Sequence, residues 1–133
     1  MFADRLAKVI ETRVRRPGLV AELAAARRRA PSVVGPDGRL VIVAADHPAR
    51  GSLGAGRERL AMADRADLLE RLCVALGRPG VGGVLGTADV LEDLLLLGAL
   101  DGKIVIGSMN RGGLAGSVFE IDDRFTEIGR AHV

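Results

Sequence analysis

Aromatic side chains are nearly missing: 133 residues contain three Phe and neither Trp nor Tyr. Without rings to stack on bases, single-stranded nucleic-acid binding is excluded as a main activity. Any core has to be built from Leu, Val, Ile and Ala. The one cysteine, Cys73, allows no internal disulfide and suits a reducing compartment. Together with His47 and His132 it forms no cluster at metal-ligand spacing. Charge of one sign is also scarce in excess, with 19 basic and 17 acidic residues giving a net +2 and no basic stripe. No apolar run reaches the roughly 18 residues of a membrane span. Asp4, Glu11 and Glu22 in the Arg-rich start do not fit a transit peptide. A cytoplasmic protein with no membrane or nucleic-acid partner is expected. No cofactor is expected either: GxxxxGK[ST] does not occur, and GVGGVLG sets its glycines one residue off the dinucleotide fingerprint.

What is present alternates. Residues 3–15 space Leu6, Val9, Ile10 and Val14 as one helix face, and Pro17 closes the segment. Residues 18–30 read as an Ala-rich helix whose last turns carry basic residues that complement its dipole. After the turn Pro36-Asp37-Gly38, Leu40–Ala45 reads as a short buried strand. A second buried strand spans Gly80–Gly86 and a third spans Lys103–Gly107. Between them lie a helix over 63–77, with Leu68, Leu69, Leu72, Val74, Ala75 and Leu76 on or near its apolar side, and a helix over 88–100. Strand, helix, strand, helix, strand is the pattern of βαβ units on a parallel sheet, open and doubly wound or closed as a (β/α)8 barrel.

In both architectures the carboxyl ends of the strands carry the site. Strand 1 runs into Asp46-His47, strand 2 into Thr87-Ala88-Asp89, and strand 3 into Ser108-Met109-Asn110-Arg111. Each has a plain structural reading beside the functional one. Thr87 or Asp89 caps the next helix, and Asn110-Arg111 beside two glycines is turn chemistry. Asp46-His47 before Pro48 is also compatible with a turn. An aspartate directly after a buried strand is nonetheless costly without a partner, which favours a functional role for it.

The stretches VIVAADHPARG, AMADRADLLERL and LGTADVLEDLLLLGALDGKIVIGSMNRGGLAGSVFEIDDRFT resemble the N-terminal part of an actinobacterial class I aldolase-like family over roughly residues 1–126. Its members are (β/α)8 barrels described as deoxyribose-phosphate aldolase-like and associated with inositol catabolism. The resemblance implies an α/β chain made of N-terminal helices and the first three β/α units of a barrel that is not closed. It implies a helical segment over 1–36 and the partial barrel over 37–126. Asp46 and His47 would be catalytic, with Asp46 positioning or deprotonating a substrate hydroxyl. Arg50, Thr87, Ser108, Asn110 and Arg111 would bind a phosphorylated sugar such as 2-deoxy-5-keto-gluconate 6-phosphate or deoxyribose 5-phosphate, in a parent that could be a homo-oligomer. Where the broader class has Asp-His-Gly, this sequence continues Pro48-Ala49-Arg50-Gly51.

Schiff-base chemistry needs a lysine held in the barrel with a depressed pKa. Only Lys8, in the first helix, and Lys103, at the start of strand 3, are present, and neither lies at a strand's carboxyl end. The chain is therefore expected to be an inactive piece of an aldolase. The alternative is a small non-catalytic α/β ligand-binding or interaction module completed by self-association. The tail EIGRAHV, residues 127–133, can be encoded by the start of a common sequencing adapter and is read as non-native, so His132 is not counted as a site residue. With strands 1 and 3 on unpaired edges, poor solubility or partial folding is expected.

Overall fold

The computed structural model describes residues 1–108. Two helices, α1 (Phe2–Arg15) and α2 (Leu19–Ala26), precede β1 (Ile42–Ala44), α3 (Arg65–Leu76), β2 (Gly83–Gly86), α4 (Ala88–Leu96) and β3 (Ile104–Gly107). The strands form one parallel sheet in the order β1-β2-β3, with β1 and β3 at its edges. The architecture is mixed α/β with an open three-stranded sheet. The expected elements all occur, but each strand begins later than its apolar run. Gly82 and Gly83 both donate their N–H to the Val41 carbonyl ahead of the ladder.

Two helical expectations need correction. The helix predicted over 18–30 ends at Ala26, where Arg27 turns to extended backbone (φ −61°, ψ 142°). Tertiary partners explain the early stop. Arg27 donates its guanidinium to the carbonyl of Lys103 at 3.1 Å, and Arg28 takes part through its N–H to Asp101 at 2.9 Å and its carbonyl to Gly102. The basic residues thus tie the segment to the turn before β3 and do not sit in a last helical turn. Val74, placed by periodicity near the apolar side of α3, is 55% exposed, whereas Leu69, Leu72 and Leu76 are buried. Asp64 starts α3 as a side-chain cap, accepting from the Asp67 N–H at 3.0 Å.

Register decides where the core sits. Val43, Val84 and Val105 lie abreast on the three strands. This row packs into a cluster with Leu69, Leu72, Leu76, Val90 and Leu94 of α3 and α4. Side chains alternate across a sheet, so Ile42, Gly83 and Ile104, and then Ala44, Leu85 and Ile106, belong to the other face. Among the described residues none of these six is part of the core cluster, and Ile106 is 38% exposed. Among the described residues α3 and α4 pack on one face, with α1 against α3 and α2 against α4, and the other face is apolar.

One feature of the packing carries no periodic signal. Asp93 of α4 is buried at 4% exposure. It accepts from Arg13 Nε of α1 at 2.7 Å through Oδ1 and from Arg65 of α3 at 2.6 and 3.0 Å through Oδ2. Burial alone would lower both arginine pKa values, but the facing carboxylates of Asp93, Asp89 and Glu92 raise them above the usual value. A buried charge survives only with such compensation, and here one carboxylate joins three helices.

Candidate functional site

The site begins with the parity of β1. Val43 and Ala45 face the helices, and Ala45 is buried in the core. Asp46, one residue on, therefore falls on the parity of the face opposite α3 and α4. Continuing the strand register past Ala44, Leu85 and Ile106 by two places sets Asp46, Thr87 and Ser108 abreast at the carboxyl ends. The Ala45 N–H still donates to Leu85 O, and the Ser108 N–H to Gly86 O, each at 2.8 Å, so the ladder holds up to that row.

After Asp46 the chain turns through a short 3-10 segment, Pro48–Arg50, closed by Gly51 at φ 75°. Proline at its first position presets the turn, and the His47 carbonyl accepts from the N–H groups of Arg50 and Ser52. The turn brings Arg50 back over the aspartate. Arg50 donates to Asp46 Oδ2 from Nε at 3.0 Å and from a terminal nitrogen at 2.7 Å, and the Ser108 hydroxyl donates to the same oxygen at 3.1 Å. Asp46 is 6% exposed. Burial on its own would push its carboxyl up, but Arg50 and Ser108 outweigh that and hold it below the ordinary carboxylate range. It is an ionised acceptor at neutral pH, suited to orient a hydroxyl, weak as a base and unsuited to donate a proton. The side chain of His47 is 52% exposed, with Nδ1 4.0 Å from Asp46 Oδ1, beyond hydrogen-bond reach.

Thr87 is the residue ahead of α4, yet its side chain makes no capping bond. It is buried, and beside Asp89 the Thr87 hydroxyl and Arg65 hold that carboxyl below its usual range against the opposing effect of burial. Of the residues singled out from sequence, Asp46, His47, Arg50 and Ser108 thus come together. Thr87 lies in the same row, on the side of Asp89 and Arg65. Asn110 and Arg111 fall outside the described residues.

A cavity of about 550 Å³ opens beside this row on the helix side, lined by Ala45, Pro48, Met62, Arg65, Thr87 and Asp89 among others. Sequence reasoning did not single out Arg65, because an arginine at the first helical position after an aspartate reads as ordinary helix-start chemistry. A larger cleft, about 1060 Å³, lies at the opposite, amino ends of the strands beside Val41, Gly82 and Ile104, away from the ionisable row. Lys103 is at that far end, its ammonium donating to the Val81 carbonyl at 2.7 Å. Cys73 is unpaired, and burial pushes its thiol up, away from reactivity. Among the described residues no group of three His, Cys, Asp or Glu side chains could hold a metal ion, and no helix is long and apolar enough to cross a membrane.

A family model described as Cgl0159-like matches residues 38–133. The crystal structure of Cgl0159 from Corynebacterium glutamicum (Brevibacterium flavum) matches with a TM-score of 0.85 and 54% identity, covering 92% of this chain and 41% of that one. This chain therefore spans about two fifths of the length of that relative. No curated protein matches.

Proposed function

The chain belongs to the Cgl0159-like family, and from the row of polar groups at its strand ends we propose that it carries the carboxylate half of a Schiff-base aldolase site. The observation that carries this reading is Asp46: a buried carboxylate, kept ionised, at the carboxyl end of a parallel strand and on the face opposite α3 and α4. An apolar inner face with helices outside is what one sector of a (β/α)8 barrel requires, and the likeness of the sequence to class I aldolases points the same way. In this reading the remaining strands close the barrel and one of them supplies the lysine. Asp46 orients a substrate hydroxyl beside the carbonyl that the lysine engages, and His47 stands at the rim. The substrate is a phosphorylated keto or deoxy sugar, with 2-deoxy-5-keto-gluconate 6-phosphate the first to try. The same proposal places the protein in the cytoplasm, where Cys73 stays reduced.

Lys8 and Lys103 do not fit the lysine's place, since one lies in α1 and the other is bonded to Val81 O at the far end of the sheet. Borohydride reduction in the presence of 2-deoxy-5-keto-gluconate 6-phosphate or deoxyribose 5-phosphate tests the reading. The longer C. glutamicum relative should gain the mass of a reduced adduct on one lysine, while the 133-residue chain gains none. A relative that traps neither compound would remove the aldolase reading. A second reading, a binding module completed by self-association, draws on the apolar row of Ile42, Leu85, Ile104 and Ile106, outside the core cluster, which a second copy could cover. A stable homodimer of the isolated chain whose formation protects that face would favour it.

A further inference from the structure

We propose that Arg50 and Ser108 are positioning residues that pin Oδ2 of the Asp46 carboxylate and so fix Oδ1 as the oxygen the site presents to its ligand. The inference rests on the reading of Asp46 as the site's carboxylate and reassigns two residues that the resemblance would make substrate arms. An arginine facing a carboxylate often spreads its two N–H groups over both oxygens. Arg50 does not. Its Nε, at 3.0 Å, and its terminal nitrogen, at 2.7 Å, both reach Oδ2, and the Ser108 hydroxyl reaches that oxygen too, at 3.1 Å. Each carboxylate oxygen has about two lone-pair directions, so three donors leave Oδ2 no room for a fourth. A ligand donor has to take Oδ1.

The surroundings of Oδ1 fit that task. His47 Nδ1 lies 4.0 Å from it, too far for one hydrogen bond. Two bonds of about 2.8 Å meeting at roughly a right angle span about 4 Å, so one hydroxyl can be shared by this pair. The clamp is built from both edges of the sheet. Arg50 arrives through the Pro48–Arg50 turn after β1, and Ser108 arrives from the end of β3. Moving either strand end therefore turns the carboxylate.

The test is a carbon-13 carboxyl NMR titration of the full 133-residue chain, with dihydroxyacetone as the hydroxyl-bearing probe followed at the His47 ring. In Ser108→Ala the Asp46 midpoint should rise, in Ser108→Thr it should return toward that of the parent, and in Arg50→Gln it should rise further than in Ser108→Ala. Probe affinity should fall several-fold in Ser108→Ala and recover in Ser108→Thr. A role confined to stability would move the melting temperature and leave the midpoint and the probe affinity alone. Should Arg50→Gln not fold, the Ser108 pair decides. An Asp46 midpoint in Ser108→Ala equal to that of the parent, or a probe affinity indifferent to the substitution, would overturn the proposal. The borohydride experiment separates the two readings: a clamp that responds as expected beside a relative that traps nothing removes the aldolase and keeps the positioning role.

Discussion

At the scale of the residue, two aspartates that look alike in the sequence are handled differently. Asp46 shares its charge with Arg50 and Ser108 at the rim of the sheet. Because its folded pKa lies below the ordinary 3.8, its pairing contributes stability fully above that value, and the contribution is lost as pH falls through the lower folded value. Asp46→Asn should therefore be less stable than the parent at neutral pH, and the gap between their urea midpoints should narrow as the pH drops below about 4. A gap that stays constant as the pH is taken well below about 4 would mean that the fold does not acidify Asp46. Asp93 was not legible in advance, since an aspartate inside LEDLLLL reads as the solvated edge of an amphipathic helix. It is in fact the shared partner of Arg13 and Arg65. Removing one member of a fully buried ion pair costs about 3–5 kcal/mol. The two arginine side chains here are 34% and 47% exposed and can recover water, so Asp93→Ala should cost less, about 2–3 kcal/mol, read from the shift in urea midpoint. A loss comparable to that of a surface ion pair would show that the network is decoration.

At the scale of the element, periodicity located the four α-helices and three strands among the described residues, but it ran the second and fourth helices too far and began each strand too early. Long-range partners set those ends. Arg27 leaves the helical conformation to reach the carbonyl of Lys103, a contact between residues far apart in sequence that no local rule contains. Glycine content weakened the reading of the second strand, yet the structure gives one of those glycines a positive reason. A Cβ at Gly83 would collide with the Ile104 carbonyl oxygen and crowd Ile42 Cδ1 at 2.9 Å, whereas one at Gly107 meets nothing within 4 Å among the described atoms. The central strand can lie between two isoleucine-bearing edges only because it lacks a side chain there. Gly83→Ala should therefore destabilise the chain by at least the roughly 1–3 kcal/mol typical of overpacking, while Gly107→Ala should be close to neutral. Denaturant midpoints for the pair compare two identical chemical changes in one sheet, and equal effects would contradict the close approach. The strand-end row was legible for a related reason: alternation fixes which side Asp46, Thr87 and Ser108 share, even though which of them bond one another depends on the turn at Pro48.

At the scale of the whole molecule, the decisive fact is that among the described residues helices pack on one side of the sheet only. Parallel sheets are found with both faces covered. Here Ile42, Leu85, Ile104 and Ile106 stand outside the core while both edge strands lack a neighbour among the described residues. Apolar surface of this kind has a driving force to be buried of roughly 25 cal/mol per Å², and an unpaired edge offers a template for whichever strand reaches it first. Neither depends on the identity of the reaction. The isolated chain should bind a hydrophobic dye such as ANS and melt broadly or with aggregation, and a sharp cooperative melt of a monomer would contradict a bare face. The relative that this chain matches over 92% of its own length is covered to only 41%, so the rest of that protein is the natural occupant to try. Supplied in trans, the remaining part of the C. glutamicum chain should suppress dye binding and sharpen the melt if it completes a closed sheet over this face. If dye binding falls instead with increasing concentration of this chain alone, the face is met by a second copy, and Asp46 belongs to a site shared between two identical subunits.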